Sequence, residues 1–305
     1  MYGDLDGQGD CEVPQDIDIG ESYSCSFTGS FTGNAGDTQT DVITATAEDD
    51  EGNDVTDSDD ATVELTDLPS SIEVTKTADP VEVDEPGASV TFSITVHNTS
   101  AVDTVTIDSL VDDVHGDLDG QGDCAVPFDI APDESSTCAF TAAVLGNAGY
   151  VETDTVTASG VDDDGASVSD QDDATVTVLD VAPSIAVDKT ADPLTLPEPG
   201  GDFTFAVTVT NDSVEPVTLT SLVDDVYGDL DGQGDCALPQ AIAIGASYAC
   251  SFAGSFAGNA GDTQTDTIPA TARDDEGNEA TDDDDATVEL TDVLPAITVG
   301  KTADP

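Results

Sequence analysis

Six cysteines form the most regular chemical pattern in the sequence, because they come as three pairs whose members lie fourteen residues apart. No CxxC motif occurs and no histidine lies at ligand distance, so the spacing favours disulfides over a metal site. Free buried thiols are the alternative. One local disulfide per pair would place the chain in an oxidising compartment, either extracellular or at the cell surface. The predicted pairs are Cys11 with Cys25, Cys124 with Cys138, and Cys236 with Cys250.

The string GDLDGQGDC ends at the first cysteine of every pair. Its aspartates and flexible glycines could gather several hard oxygen ligands around a Ca²⁺ ion. The twelfth loop position is Gln15, Phe128 or Gln240 where an EF-hand has glutamate, so further ligands such as Asp112 and Asp113 would be needed. A solvated Asp-Gly turn is the alternative. The predicted Ca²⁺ ligands are Asp4, Asp6, Asp10, Asp117, Asp119, Asp123, Asp229, Asp231 and Asp235.

A second acidic cluster recurs farther along each copy of the pattern. Carboxylates packed this densely repel one another unless a cation or salt screens them. The alternative is the uniformly acidic surface of a halophile's protein. The carboxylates predicted to bind a cation here are Asp162, Asp163, Asp274 and Asp275, and the first copy of the cluster begins at Asp49.

One lysine occupies the same place in each copy, at Lys76, Lys189 and Lys301. Counting by twos along the predicted strands puts Lys76 and Lys189 on the inward face, where a lysine needs a carboxylate partner. An isopeptide bond to Asn or Asp is one interpretation. A bulge that turns the lysine to solvent, or a salt bridge, is the other.

Two N-glycosylation sequons follow a predicted strand at equivalent places, with Asn98 and Asn211 as acceptors.

The residues offer little for catalysis. The two histidines are His97 and His115, and Thr210 and Tyr227 take their places in the next copy. A catalytic base should not change between otherwise matching copies, so we expect no enzymatic activity.

The charge balance limits the partners. The 305 residues include 67 acidic and 4 Lys or Arg residues, which gives a net charge of −63. This charge repels nucleic acids and anionic membrane surfaces and attracts cations, divalent ones above all. No apolar run is long enough to insert into a bilayer.

These motifs repeat with the period of a whole domain. GDLDGQGDC ends at Cys11, Cys124 and Cys236, and KTADP begins at each of the three lysines. We therefore predict a partial repeat at 1–69, complete repeats at 70–181 and 182–293, and the first strand of another repeat at 294–305. We expect the chain to be a segment of a longer array.

Alternating apolar and polar residues predict the elements that position these motifs. Phe203, Phe205, Val207 and Val209 alternate with polar or small residues, as in a half-buried strand. The same pattern predicts seven strands in the middle repeat, near 71–77, 88–97, 103–110, 125–130, 136–144, 151–161 and 172–180. Seven strands in such a length indicate an all-β fold of tandem immunoglobulin-like sandwiches.

The segment TADPLTLPEPGGDFTFAVTVTNDS, residues 190–213, resembles the opening of Ig-like repeats in bacterial and archaeal surface, adhesin and fibre proteins. The resemblance implies a structural segment of an extracellular fibre or stalk. Its partners would be neighbouring repeats, like chains in a filament, and Ca²⁺. The alternatives are an adhesin region that recognises a host protein or glycan, and a spacer in a secreted hydrolase. Fold resemblance alone does not choose among them.

The linker between the complete repeats is short, Val181-Ala182-Pro183-Ser184, and its proline limits bending. Alternate loops of a sandwich lie at opposite ends. We therefore expect the Asp117–Asp123 loop to lie beside Asp180 and to face Asp274–Glu276 of the next repeat, with a Ca²⁺ ion shared between them.

Overall fold

The computed structural model describes residues 2–304, which form an all-β chain of Ig-like sandwich sheets. The chain divides into two compact units. Unit 1 comprises Met1–Thr77, Thr91–Thr141 and Asp154–Ala174, and unit 2 comprises Ala78–Val90, Ala142–Thr153 and Thr175–Pro305. Both units therefore contain residues of the middle repeat. No helix among the described residues has the length and apolar character needed to cross a membrane.

Twenty strands account for the regular structure. The first repeat has β1 (Thr38–Glu48) and β2 (Asp54–Glu64). The middle repeat has β3 (Ile72–Asp79), β4 (Glu82–Asp84), β5 (Gly87–Asn98), β6 (Val105–Asp112), β7 (Gly116–Asp117), β8 (Phe128–Ile130), β9 (Ser135–Leu145), β10 (Val151–Asp162) and β11 (Ser167–Leu179). The third repeat has β12 (Ile185–Asp192), β13 (Thr195–Pro197), β14 (Gly200–Asn211), β15 (Val217–Asp224), β16 (Gly228–Asp229), β17 (Gln240–Ile242), β18 (Ser247–Ala257), β19 (Thr263–Arg273) and β20 (Glu279–Thr291).

The third repeat lies wholly in unit 2 and shows the sandwich most completely. One sheet has the order β12-β14-β18, and the other has the order β13-β20-β19-β15-β16, with β17 also paired to β15. The pairs are antiparallel except β13 with β20, which are parallel. The predicted alternation is confirmed, because Phe203, Phe205, Val207 and Val209 are all buried in the core.

The strands of the middle repeat have the same order. All seven predicted strands are present, with ends shifted by up to five residues. The sequence analysis missed the short strands β4 and β7. β6 pairs with β7, β8 and β10, and a bulge in β10 falls at Gly160, where an added Cβ would lie 2.0 Å from the Thr106 carbonyl oxygen.

The two ends of the chain differ from the complete repeats. In the first repeat, β1 and β2 form a two-stranded sheet, and Val42 and Ile43 are exposed. Residues 294–304 form no strand, although the sequence predicts one there. The equivalent strand β12 pairs with β14, whereas residues 294–304 pair with no strand among the described residues. An unpaired segment has no partner for its backbone hydrogen bonds, so it does not form a strand.

Candidate cation sites and buried lysines

The structure contains the three predicted disulfides, Cys11–Cys25, Cys124–Cys138 and Cys236–Cys250, with Cα atoms 4.9–5.0 Å apart. In the complete repeats each bond ties an aspartate loop to the strand β9 or β18. The Asp123 carboxylate lies close to the sulfurs of Cys124 and Cys138. Those sulfurs are joined to each other and are not thiolates, so this group is not a metal-ligand set.

The aspartate loops use their carboxylates as acceptors for backbone amides. Asp117 Oδ1 accepts from the Asp119 amide at 3.1 Å, and Asp119 Oδ1 accepts from the Val126 amide at 3.1 Å. Asp123 Oδ1 accepts from the Ala139 amide of β9 at 2.5 Å. Among the described residues, the three carboxylates do not form a ligand group of their own. Ca²⁺ binding by these loops therefore stays a prediction. In the structure, Asp117 and Asp119 shape the loop from within, and Asp123 holds it against β9.

The same contacts recur in the other two loops. Asp10 Oδ1 accepts from the amide and the hydroxyl of Ser26, and Asp235 Oδ1 accepts from those of Ser251. These hydrogen bonds, the backbone one first, lower the pKa of Asp10 and Asp235. Both loops therefore keep these carboxylates ionised as fixed acceptors.

The second acidic cluster has two separate structural roles. Its first aspartate closes a tight turn: Asp162 Oδ1 accepts from the Ala166 amide, and Asp274 Oδ1 accepts from the Gly277 and Asn278 amides, all at 2.7 Å. The sequence analysis did not foresee this use of Asp162 and Asp274. Asp163 and Asp275 follow them in the turn.

The later aspartates of the cluster support an edge strand. Asp282 Oδ2 and Asp284 Oδ2 on β20 accept from the Val187 and Lys189 amides of β12, each at 2.7 Å. The middle repeat has the same bonds, from the Val74 and Lys76 amides to Asp170 and Asp172. Strand β12 lies at the edge of its sheet, so these carboxylates satisfy amides that would otherwise be unpaired.

Lys189 points inward, as predicted. Its side chain is fully buried, and its ammonium donates to Asp224 Oδ2 at 2.5 Å and also to Asp266 Oδ2. The ammonium lies 5.1 Å from the ring centroid of Phe205. This geometry is a salt bridge, and the alternative of a bulge that turns the lysine to solvent is wrong.

Lys76 makes the same arrangement in unit 1, with Asp112 Oδ2 and Asp154 Oδ2 each at 2.5 Å and Phe92 at 4.9 Å. Beside it, His115 Nε2 lies 3.2 Å from Asp154 Oδ2. Tyr227 takes the place of His115 in the third repeat and accepts a hydrogen bond from Gln264. The lysine and two aspartates are therefore common to both complete repeats, whereas their neighbour varies.

The two carboxylates beside Lys189 differ in pKa. Burial raises the pKa of Asp266 to about 6; the Lys189 hydrogen bond and charge offset it only in part, and the Asp224 charge adds to it. Burial also acts to raise the pKa of Asp224, but hydrogen bonds from Lys189 and the Tyr227 and Val226 amides outweigh it, so that pKa is lowered. Asp224 is therefore the ionised partner of the lysine.

A third arrangement, which we name the Glu215 group, consists of Glu85, Asp180, Glu215 and Glu276, all in unit 2. One carboxylate oxygen from each lies within 4.8 Å of the others. Burial, a hydrogen bond with Asp275 and the charges of Glu85, Glu276 and Asp275 raise the pKa of Glu215 to about 8. The predicted site paired the Asp117–Asp123 loop with the turn at Asp274–Glu276, but the group instead brings Glu276 together with Asp180 and contains no residue of that loop. The sequence analysis missed Glu85 and Glu215, which lie outside both of the acidic motifs that recur in the repeats.

Asn98 and Asn211 are fully buried, and the prediction that they carry N-glycans is wrong for the folded chain. Asn98 Nδ2 donates to the Asp103 and Ile130 carbonyls, at 2.8 and 2.9 Å, and Asn211 Nδ2 donates to those of Glu215 and Ile242. Both amide hydrogens are therefore used, and a glycan has no room. These asparagines close the connection between two strands.

Comparison with known proteins adds little to this description. No protein-family model matches the chain, and no curated protein matches it. Among solved structures, the chain is similar to red sea bream transglutaminase, with 10% identity and a TM-score of 0.28, over 72% of this chain and 31% of that one. It is also similar to Salmonella alpha-2-macroglobulin reacted with methylamine, with 13% identity and a TM-score of 0.26, over 89% of this chain and 23% of that one. The chain spans less than a third of either protein.

Proposed function

We propose that this chain is a structural segment of a long extracellular fibre or cell-surface stalk, of the kind found in bacterial and archaeal surface proteins. One observation carries the proposal. Both complete repeats use the same reactive positions for internal bracing: a disulfide, a buried lysine between two aspartates, and aspartates that hold an edge strand.

The repetition itself favours a structural role over recognition. A site that binds a host protein or glycan needs to occur once, whereas bracing is needed in every repeat. The disulfides add about 3 kcal/mol each in the chain-entropy model, and they persist only in an oxidising compartment. An extracellular location fits both features.

We propose further that the segment has no enzymatic activity. His97 Nδ1 lies 3.1 Å from the Glu134 carbonyl oxygen and 3.1 Å from Ser135 Oγ, and His115 packs against the Phe92 and Phe140 rings. Neither histidine is kept in the third repeat. Thr210 and Tyr227 take the places of His97 and His115 there, so a structural role in packing accounts for both histidines.

Immunogold electron microscopy of the cells that produce the protein tests the fibre or stalk assignment. An antibody raised against the folded chain should label filaments or stalks outside the cell, and pre-immune serum should not. Label confined to the cell interior would overturn the proposal. Binding of a glycan or protein by one repeat, lost when that repeat is exchanged for the other, would instead support the adhesin alternative.

A further inference from the structure

The Glu215 group collects four carboxylates from four separate segments of unit 2. Glu85 precedes β5, Asp180 follows β11, Glu215 precedes β15, and Glu276 lies in the turn between β19 and β20. Local charge repulsion does not explain such a convergence, because each segment could turn its acidic side chain to water. The fold instead directs all four to one point.

Two members of the group are held in place by burial. Glu85 is only 4% exposed, and its two oxygens accept the Ala148 amide at 3.0 Å and the Val181 amide at 2.9 Å. Glu215 is 8% exposed, and its Oε1 atom is buried with no hydrogen-bond partner among the described residues. Buried polar atoms are nearly always paired, and a bound cation would supply the partner that this oxygen lacks.

No protein cation balances these charges. The chain has four Lys and Arg residues, and within residues 2–304 none forms a salt bridge with Glu85, Asp180, Glu215 or Glu276. Two amides do support the group: Asn278 donates to Asp180 Oδ2 at 2.7 Å, and Asn147 donates to the adjacent Asp275 at 2.6 Å. These contacts orient the carboxylates but supply no positive charge.

We propose that the Glu215 group binds one Ca²⁺ ion. Ca²⁺ takes six to eight oxygen ligands at about 2.3–2.6 Å, and two ligands on opposite sides of the ion are therefore about 4.6–5.2 Å apart. Four oxygens that all lie within 4.8 Å of one another match this spacing. Four carboxylates can supply up to eight oxygens in an irregular shell, which suits Ca²⁺ better than the strict octahedron of Mg²⁺.

The corresponding place in unit 1 is weaker, which predicts a single site. Asp67, Asp103 and Asp164 occupy the positions of Asp180, Glu215 and Glu276. Burial first, and then the charges of Asp103, Asp163 and Asp67, raise the pKa of Asp164. However, Asp103 already accepts from Ser70 Oγ at 2.8 Å. Among the described residues, Asp67, Asp103 and Asp164 do not form a group of converging ligand atoms.

The test compares Ca²⁺ binding by the full chain and by Glu215→Gln, measured by isothermal titration calorimetry. Glu198→Gln is the matched control, because Glu198 is the third-repeat equivalent of Glu85, accepts the Ala260 amide, and lies outside the group. We expect Glu215→Gln to lose one site or to bind it about tenfold more weakly, since affinity follows ligand charge. Glu198→Gln should bind like the unmodified chain. Unchanged binding by Glu215→Gln would overturn the proposal.

Thermal unfolding separates a cation site from a purely structural role. In chelator, Glu215→Gln should be at least as stable as the unmodified chain, because an amide adds no charge repulsion to the three neighbouring carboxylates. In millimolar CaCl₂ the unmodified chain should gain in Tm, and the variant should gain less. An equal gain in NaCl at matched ionic strength, or from MgCl₂, would refute a Ca²⁺ site. Such a failure would leave the fibre proposal intact, since that proposal rests on the bracing within repeats.

Discussion

Lys189→Met removes the one positive charge that faces two buried carboxylates in the third repeat. The side chains of Lys189, Asp224 and Asp266 are all fully buried. Removing one partner of a buried pair costs about 3–5 kcal/mol, because the remaining charge has neither water nor a counter-ion. Methionine fills a similar volume, so we attribute the expected loss of stability to charge and not to a cavity.

This loss should be large on the temperature scale. A change of 1 kcal/mol shifts the Tm of a domain of this size by at least about 4 °C, so a fall of about 12 °C or more is expected for the third repeat. Differential scanning calorimetry of the full chain measures the shift, and hydrogen exchange of peptides assigns it to residues 182–293. Lys76→Met is the matched variant and should affect the middle repeat instead.

Two further variants test whether unpaired buried charge causes the loss of stability in Lys189→Met. Lys189→Met/Asp266→Asn should recover part of the stability that Lys189→Met loses, because one fewer carboxylate is left without a partner. Asp266→Asn alone tests the pKa of about 6. A pKa raised by folding favours the folded state at low pH, and this stability is lost as the pH rises through about 6. The stability of Asp266→Asn relative to the unmodified chain should therefore rise between pH 4 and pH 7.

A fall of less than about 1 kcal/mol in Lys189→Met would refute this reasoning, since it lies far below the cost of breaking a buried ion pair. It would mean that the two carboxylates reach water or share a proton at little cost. A Lys189→Met effect confined to peptides outside the third repeat would also contradict it.

Three other outcomes follow from the contacts. Intact mass spectrometry should give the sequence mass less the hydrogens of three disulfides; loss of a water per lysine would show a Lys–Asp amide instead of the salt bridge. Asn211→Ala should lower the free energy of unfolding by about 2 kcal/mol or more, because the buried Glu215 and Ile242 carbonyls lose their donor. Glycosidase treatment of the unmodified chain should leave its mass unchanged. Replacing Cys236 and Cys250 by serine should cost the third repeat about 3 kcal/mol in denaturant unfolding.

Features that depend on local periodicity could be predicted from the sequence. A strand has a side-chain period of two, so alternation alone places Phe203 and Phe205 in the core and turns Lys189 inward. The cysteine pairs were also predictable, because the loop between them is short and its spacing repeats. The fold class, all-β with Ig-like sheets, followed from the number of strands in one period.

The roles of polar side chains could not be predicted in the same way. Asp123 and Asp235 look like cation ligands in sequence, but each meets a backbone amide of β9 or β18, sixteen residues away. Asn98 lies in a glycosylation sequon, but folding buries it against the carbonyls of Asp103 and Ile130. The Glu215 group joins residues from four segments, so no local pattern marks it. These partners come together only in the folded chain.

Two nearly identical segments show most directly what the sequence alone does not determine. Residues 22–41 and 247–266 differ at three of 20 positions, where Ser24, Thr28 and Thr32 replace alanines. Nevertheless, 247–257 form β18, whereas 22–32 form no strand. β18 pairs with β14 along its whole length, whereas residues 22–32 pair with no strand among the described residues. The sequence determines which face of such a segment is apolar, but its backbone becomes a strand only where another strand supplies the hydrogen-bond partners.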